Sequence, residues 1–136
     1  MIRKGRFAVS NGREYELISY QRQYYLRSKN PYDLQSGFIK MRNNDKLFLK
    51  QVSVKELDDA YEIFPYAILG GYRFSVEGYN KKSEMVTLAT NNPFVKEKIN
   101  VRPHGQYEYI IEVPHEDIQI SEDRLAILGF DRDYCE

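Results

Sequence analysis

The chain has 136 residues, is 42% hydrophobic and 29% charged, and carries a formal net charge of zero. These values are typical of a globular protein and argue against a disordered or low-complexity chain. No stretch approaches the about 20 apolar residues that a membrane helix needs. The basic start, Met1–Arg6, leads into no apolar run, which argues against a secretory signal.

The zero net charge hides an asymmetry along the chain. Residues 1–50 hold eleven Lys or Arg against four Asp or Glu, a net charge of +7, and residues 51–136 hold nine against sixteen, a net charge of −7. From Glu108 onward there are nine acidic residues and only two basic ones, Arg124 and Arg132. The two halves therefore predict a positive and a negative side, which would steer charged partners.

Cys135 is the only cysteine, so no intramolecular disulfide can form. This usage fits a reducing compartment, and we expect a cytoplasmic protein in which Cys135 is an incidental residue of the tail.

Turn signals divide the first half of the chain into short strands. Asn11-Gly12 separates two segments of alternating polarity, which predicts a hairpin with strands over residues 5–10 and 13–20. A third strand is predicted over residues 24–28 and ends at Asn30-Pro31, because Pro cannot donate a hydrogen bond to a β-ladder.

A second hairpin and a short helix follow. Strands are predicted over residues 38–41 and 46–52, around the turn residues Asn43-Asn44-Asp45. Ser53 and Glu56 have the spacing of a capping box. The helix of about ten residues that we expect after it would end at Pro65 and carry one apolar stripe, made of Val54, Leu57, Tyr61 and Phe64.

The second half repeats this plan. A long strand over residues 66–76 is predicted to bend at Gly70-Gly71, since glycine pairs permit sharp bends. The tail from Ser121 fits either a last strand or a helical turn. The other predicted elements are strands at 85–90, 99–101 and 106–113, a helical turn at 93–98, and a tight turn at Pro103-His104-Gly105.

Three segments recur in the same order, 61 to 67 positions apart, which indicates an internal duplication of about sixty residues. They are Arg6-Phe7 with Arg73-Phe74, Asn30-Pro31 with Asn92-Pro93, and Val52 to Leu57 with Val113 to Ile118. We therefore predict two repeats, residues 1–65 and 66–136. A unit this small buries only about 60% of its unfolded surface, so the repeats are expected to share an interface.

About five short strands and a closing helical turn in each repeat predict a mainly β protein. The strand order resembles an SH3-like or Tudor-like barrel, in which the Val-x-x-x-Glu/Asp-Leu/Ile segment would be the short helical turn. The resemblance implies two tandem small antiparallel barrels with short helical turns. The rival architecture is one continuous sheet made from both repeats.

Twelve tyrosines and no tryptophan stand out in the composition. Five of these tyrosines lie at alternating strand positions, where a ring can be buried while its hydroxyl reaches water: Tyr15, Tyr66, Tyr72, Tyr107 and Tyr109. The segment from residue 20 to 27 differs because aromatic and basic residues interleave there, as in binding surfaces and in grooves on which bases stack. Its candidate binding residues are Tyr20, Arg22, Tyr24, Tyr25 and Arg27.

The sequence holds no catalytic motif and no cofactor fingerprint. Two histidines, His104 and His115, and one cysteine do not make a zinc site. The acidic residues near the end lack the spacing and turn glycine of a calcium loop. We therefore expect no enzyme, no metal and no cofactor.

These observations predict a non-catalytic protein-binding module. In its most concrete form it is a bacterial immunity protein, which neutralises a toxin by covering its active surface. A basic toxin domain, such as a nuclease, would then meet an acidic surface that mimics nucleic acid. The candidate contact residues are Glu112, Glu116, Asp117, Glu122 and Asp123.

Two other functions stay open. A nucleic-acid-binding protein would use Arg22, Arg27, Lys29 and Lys40 on phosphates and the tyrosines on bases, although the acidic half would repel the backbone. A structural accessory protein of phage type would assemble with copies of itself, favoured by the opposite charges of its halves. The oligomeric state and the partner's identity are not specified by the sequence.

Overall fold

The computed structural model describes residues 2–44 and 46–130. Cys135, Arg132 and the turn residue Asp45 lie outside the described residues. Eleven antiparallel strands make one sheet: β1 Gly5–Ser10, β2 Arg13–Tyr20, β3 Gln23–Ser28, β4 Ile39–Lys40, β5 Phe48–Val52, β6 Asp59–Leu69, β7 Tyr72–Asn80, β8 Met85–Thr90, β9 Arg102–His104, β10 Glu108–Pro114 and β11 Ser121–Ala126. Short 3-10 turns occupy Pro31–Ser36, Val54–Glu56, Pro93–Glu97 and His115–Asp117.

The prediction of a mainly β, antiparallel fold with short helical turns is confirmed, and the prediction of closed barrels is wrong. The hydrogen-bonded order runs β4-β5-β3-β2-β1-β6-β7-β8-β10-β9, with β11 on β6, and the sheet does not close. The physical reason lies in β6. Its first part pairs with β1 as far as Ile63 and its second part pairs with β7 from Tyr66 onward, so one strand continues both ladders.

The helix predicted to follow Ser53 is also wrong. Only Val54–Glu56 is helical, and the Ser53 side chain does not cap it. Tyr61 and Ile63 belong instead to strand β6, on which both side chains are buried. Pro65 lies inside this strand, between the residues that pair with β1 and those that pair with β7.

Gly70-Gly71 is a hairpin turn rather than a bend within a strand. Leu69 pairs with Tyr72 across it, and both glycines have positive φ, 60° and 85°. The Asn11-Gly12 turn has the same conformation, with φ of 53° and 78°, as predicted. Pro103 and His104 were predicted to form a turn, but they belong to strand β9.

Compact packing divides the chain into two units. The first unit is Gly5–Ile63 with residues 124–130, and the second is Phe64–Asp123 with residues 2–4. The predicted repeats, 1–65 and 66–136, remain a prediction as folding domains. Each unit has its own apolar core, centred on Leu26 and Phe48 in the first and on Phe74 and Leu88 in the second.

The order of elements is the same in both units. Three consecutive strands precede an Asn-Pro 3-10 turn, which a strand pair and a second 3-10 turn follow. Two of the three recurring sequence segments mark equivalent places. The third does not, because Arg6-Phe7 lies on the first strand of its unit and Arg73-Phe74 on the second strand of the other. Tyr15 is the residue equivalent to Phe74, each being the third after its turn glycine.

Candidate functional site

One side of the first unit's sheet is partly free of the core. Leu17 and Leu26 point into the core, so the alternate residues of β2 and β3 point away from it. Cross-strand pairing places Ile18 beside Tyr25, and Leu49 beside Ile39. We call this the open face, and it comprises Ile18, Tyr20, Tyr25, Arg27, Ile39, Leu49, Gln23 and Gln51.

The open face is apolar and accessible at its ends. Ile39 is 70% exposed and Tyr20 is 62% exposed. Nearer β1 the same side is covered, since Phe7, Tyr61 and Ile63 are buried together. Isolated exposed apolar residues are ordinary, but neighbours on one rigid sheet surface are the pattern of a contact site.

The structure places the residues of the predicted Tyr–Arg binding segment on two different sides of the sheet and in a turn. Tyr20, Tyr25 and Arg27 belong to the open face, and Arg27 is paired there with Glu16. Tyr24 points to the other side and packs against the core. The three rings therefore do not form one continuous stacking surface.

Arg22 lies in a strained turn between β2 and β3. Gln21 and Arg22 have φ of 49° and 65°, in the left-handed region that non-glycine residues rarely adopt. Each such residue costs on the order of 1 kcal/mol or more, and this strain occurs preferentially at functional sites. The equivalent turn conformations elsewhere use Asn11-Gly12 and Gly70-Gly71, which adopt them readily.

An open groove of about 550 Å³ borders this turn and the end of β5. The Gln51 amide donates a hydrogen bond to the Gln23 side chain across the two strands. The Ser53 hydroxyl lies 3.4 Å from a carboxylate oxygen of Glu56. We call it the turn groove, and it is lined by Arg22, Gln23, Tyr24, Gln51, Val52, Ser53, Val54 and Glu56.

The predicted acidic contact residues lie on three elements of the second unit, and most of them have basic partners within that unit. Glu112 of β10 accepts a hydrogen bond from Arg102 at 2.8 Å. Two carboxylates of β11 are also ion-paired, Glu122 with Arg3 at 2.9 Å and Asp123 with Arg73. Within the described residues, Glu116 and Asp117 of the 3-10 turn have no ion pair, so they are the carboxylates with most charge left to offer.

Sequence reasoning missed the buried carboxylate of the first unit. Asp33 is only 3% exposed, in the Pro31–Ser36 turn. It accepts hydrogen bonds from the Tyr15 hydroxyl at 3.1 Å and from the Ser28 hydroxyl, and Arg13 lies 3.5 Å away. The only sequence signal is that Asp33 stands where the second unit has Val95, which no polarity pattern alone would flag.

This network changes the acidity of Tyr15. Burial raises the pKa of the Tyr15 hydroxyl above its usual value, and the hydrogen bond to Asp33 and the negative charge of that carboxylate raise it further. Arg13 acts in the opposite direction. The ring of Tyr15 packs 5.0 Å from that of Phe38, which fixes its orientation.

The second unit has a groove at the equivalent place. It measures about 350 Å³ and lies between the β7–β8 turn and the start of the last 3-10 turn. The His115 ring packs 5.4 Å from the ring of Tyr79, and the main-chain N–H of His115 donates to the Glu84 carbonyl at 2.9 Å. Glu84 and Glu116 line this groove, so its charge is opposite to that of Arg22 in the turn groove.

Within residues 2–44 and 46–130, no group of His, Cys, Asp and Glu side chains is arranged to hold a metal ion. In the same part of the chain, no helix has the length and apolar content for a membrane crossing. The two grooves and the open face present aromatic rings, amides, carboxylates and guanidinium groups.

Comparison with known proteins gives a family but no described activity. No curated protein and no solved structure matches the chain. The family model of Uncharacterised conserved protein UCP033725 matches residues 2–129. Because the match spans almost the whole chain, the protein belongs to the family Uncharacterised conserved protein UCP033725.

Proposed function

We propose that the chain is a non-catalytic protein-binding module and that the open face is its contact surface. The observation that carries this proposal is the grouping of Tyr20, Tyr25 and Ile39 on one side of a rigid sheet, with amides and an arginine around them. Tyrosine and arginine are over-represented among residues that dominate binding energy, because each combines large contact area with directional hydrogen bonds.

In its most specific form the module is an immunity protein, a cytoplasmic inhibitor that covers the active surface of a bacterial toxin. The open face would supply the apolar anchors. Glu116 and Asp117 would supply the negative charge that attracts a basic toxin domain, since the other candidate carboxylates are paired within the chain. Charge of this kind raises the association rate more than the affinity.

The test is an affinity capture from the native cytoplasm with two matched variants. Tyr20→Ala with Ile39→Ala removes the exposed anchors of the open face. Tyr107→Ala with Ile68→Ala removes a pair of the same residue types in the second unit, 79% and 58% exposed. We expect a stoichiometric protein partner with the wild type and the control, and none with the open-face variant.

The captured partner is then purified and titrated calorimetrically. Loss of two anchor residues should weaken binding by about 30-fold or more. Equal affinity for both variants would refute the open face as the contact surface. Recovery of nucleic acid that vanishes with nuclease and with about 0.5 M salt would favour the nucleic-acid alternative instead. Recovery of the bait alone would favour self-assembly.

A further inference from the structure

The second unit's sheet has an open recess of about 320 Å³ on the side away from its core. Phe74 and Leu88 point into the core, so Ser75 and Ala89, which pair across β7 and β8, point to the other side. Ala89 is only 2% exposed, and its methyl group is the smallest side chain of the lining. We call this the Ala89 recess, and it is lined by Arg73, Ser75, Ala89, Thr90, Asn91 and Glu108.

The first unit fills the equivalent place with an ion pair of its own. Glu16 and Ser75 each stand four residues after a turn glycine, and Arg27 and Ala89 each stand three residues before the Asn of an Asn-Pro turn. Both pairs are direct cross-strand neighbours, Glu16 with Arg27 and Ser75 with Ala89. The Arg27 guanidinium donates to the Glu16 carboxylate. The first unit therefore holds a guanidinium where the second unit has only a hydroxyl and a methyl group.

One carboxylate of the Ala89 recess keeps its charge free. Thr90 pairs with Tyr109, and continuing this register places Asn91 opposite Glu108 at the end of the ladder. In the part of the chain that the structure describes, Glu108 forms no ion pair and the Asn91 side chain makes no hydrogen bond. The recess therefore offers a carboxylate and an amide oxygen as neighbouring acceptors.

The basic residue of the recess lining is already engaged. Arg73 forms an ion pair with Asp123, and its guanidinium carbon lies 3.6 Å from the centroid of the Tyr66 ring. These contacts hold the Arg73 side chain, and the Asp123 carboxylate offsets its charge. The uncompensated charge of the lining is that of Glu108, which favours a cationic occupant.

We infer that the Ala89 recess binds an arginine side chain contributed by a protein partner. The Glu108 carboxylate accepts charge-assisted hydrogen bonds from the guanidinium, and the oxygens of Asn91 and Ser75 accept further ones. Arginine suits several separate acceptors better than lysine, because its five donors are fixed in a plane. The occupant takes the place that Arg27 fills in the first unit. This inference rests on the proposed protein-binding function and names a group that a basic partner contributes.

The first experiment titrates the isotope-labelled full chain with N-acetyl-arginine N-methylamide, up to about 100 mM, and follows the amide signals by NMR. The matched control is N-acetyl-citrulline N-methylamide, which has nearly the same shape and no charge. We expect the arginine probe to shift the main-chain amides of Ala89 and Glu108 and the side-chain amide of Asn91, with a Kd of about 10 mM. The citrulline probe should bind at least about fivefold more weakly. Absence of these shifts, or equal affinity for the two probes, overturns the inference.

Variants of the recess separate its charge from its space. Glu108→Gln keeps the shape and should weaken binding of the arginine probe about fivefold, without changing binding of the citrulline probe. The control is Glu116→Gln, which removes another carboxylate of the second unit that lies outside the recess and should leave the affinity unchanged. Unchanged affinity in Glu108→Gln, or an equal loss in the control, overturns the inference.

A double variant tests the equivalence of the two units. Ser75→Glu with Ala89→Arg reproduces the first unit's ion pair and should abolish binding of the arginine probe. Retained binding in a folded double variant overturns the inference. Should this variant not fold, Glu108→Gln still decides, because Glu108 is an exposed residue whose replacement has nearly the same size.

This result is separate from that of the open-face test, since the purified chain and the probe need no natural partner. Arginine binding in the recess, with no protein captured from the cytoplasm, would support the inference and count against the proposed function. A captured partner that depends on the open face, with no binding of the arginine probe, would do the reverse.

Discussion

The two Asn-Pro turns begin with the same cap and have different interiors. Asn30 and Asn92 each accept a hydrogen bond at 3.0 Å from the N–H two residues later, and each donates its own N–H to a preceding hydroxyl, of Ser28 or Thr90. The residue that each turn buries is Asp33 in the first unit and Val95 in the second. The turn is therefore fixed by local capping, and the polarity of the buried residue is a separate choice.

The same contrast extends to the strand beside each turn. Tyr15 donates to Asp33 in the first unit, whereas the equivalent Phe74 is fully buried in an apolar core with Val95. A buried polar group is stabilising only when its partners are all present. The first unit thus has a set of interdependent polar residues where the second unit has an apolar contact.

The largest effect should come from breaking that set in part. Asp33→Val leaves the Tyr15 and Ser28 hydroxyls buried without their acceptor, and should lower the free energy of unfolding by about 3 kcal/mol. Adding Tyr15→Phe reproduces the second unit's pair and removes one of the two orphaned hydroxyls, so it should restore about half of the loss. Urea unfolding measures both. Additive losses in the double variant would contradict interdependence.

A second comparison contrasts the strained turn with the relaxed ones. Replacing Gln21-Arg22 by Asn-Gly, as at Asn11-Gly12, removes two unfavourable left-handed residues and should raise the free energy of unfolding by about 1–2 kcal/mol. Thermal unfolding measures this gain. A loss of stability would show that the turn residues make contacts outweighing the strain.

The smallest effect should be a dependence on alkaline pH. The pKa of Tyr15 is raised in the folded state, so its stabilising contribution is complete below the unfolded value of 10.0 and is lost as pH rises through the folded value. Stability should therefore fall less steeply above pH 10 in Tyr15→Phe than in wild type. Urea unfolding across that pH range measures the slope, and Tyr107→Phe is the control, since its ring is 79% exposed. Identical slopes for Tyr15→Phe and wild type would contradict the raised pKa of Tyr15.

Much of the local structure follows from short-range signals. Asn11-Gly12 fixed the first hairpin because both residues adopt positive φ, and the Asn-Pro pairs fixed both 3-10 turns through their own side-chain caps. Strand β8 and strands β1 and β2 have the predicted bounds, since alternation over six to eight residues has one register that buries a core face.

Properties that depend on distant partners were decided by the tertiary structure. The apolar spacing of Val54, Leu57 and Tyr61 fits a helix as well as a turn and strand, and pairing of β6 with β1 made it a turn and strand. The same long strand kept the sheet from closing into the predicted barrels. The candidate sites divide in the same way. Tyr20 and Arg22 lie in one short segment, which the sequence identifies. The ion pairs with Arg3, Arg73 and Arg102 link residues up to 119 positions apart, so only the tertiary structure identifies them. Local backbone preference depends on residues that are neighbours along the chain, whereas the choice of pairing partner between strands depends on the free energy of the whole fold.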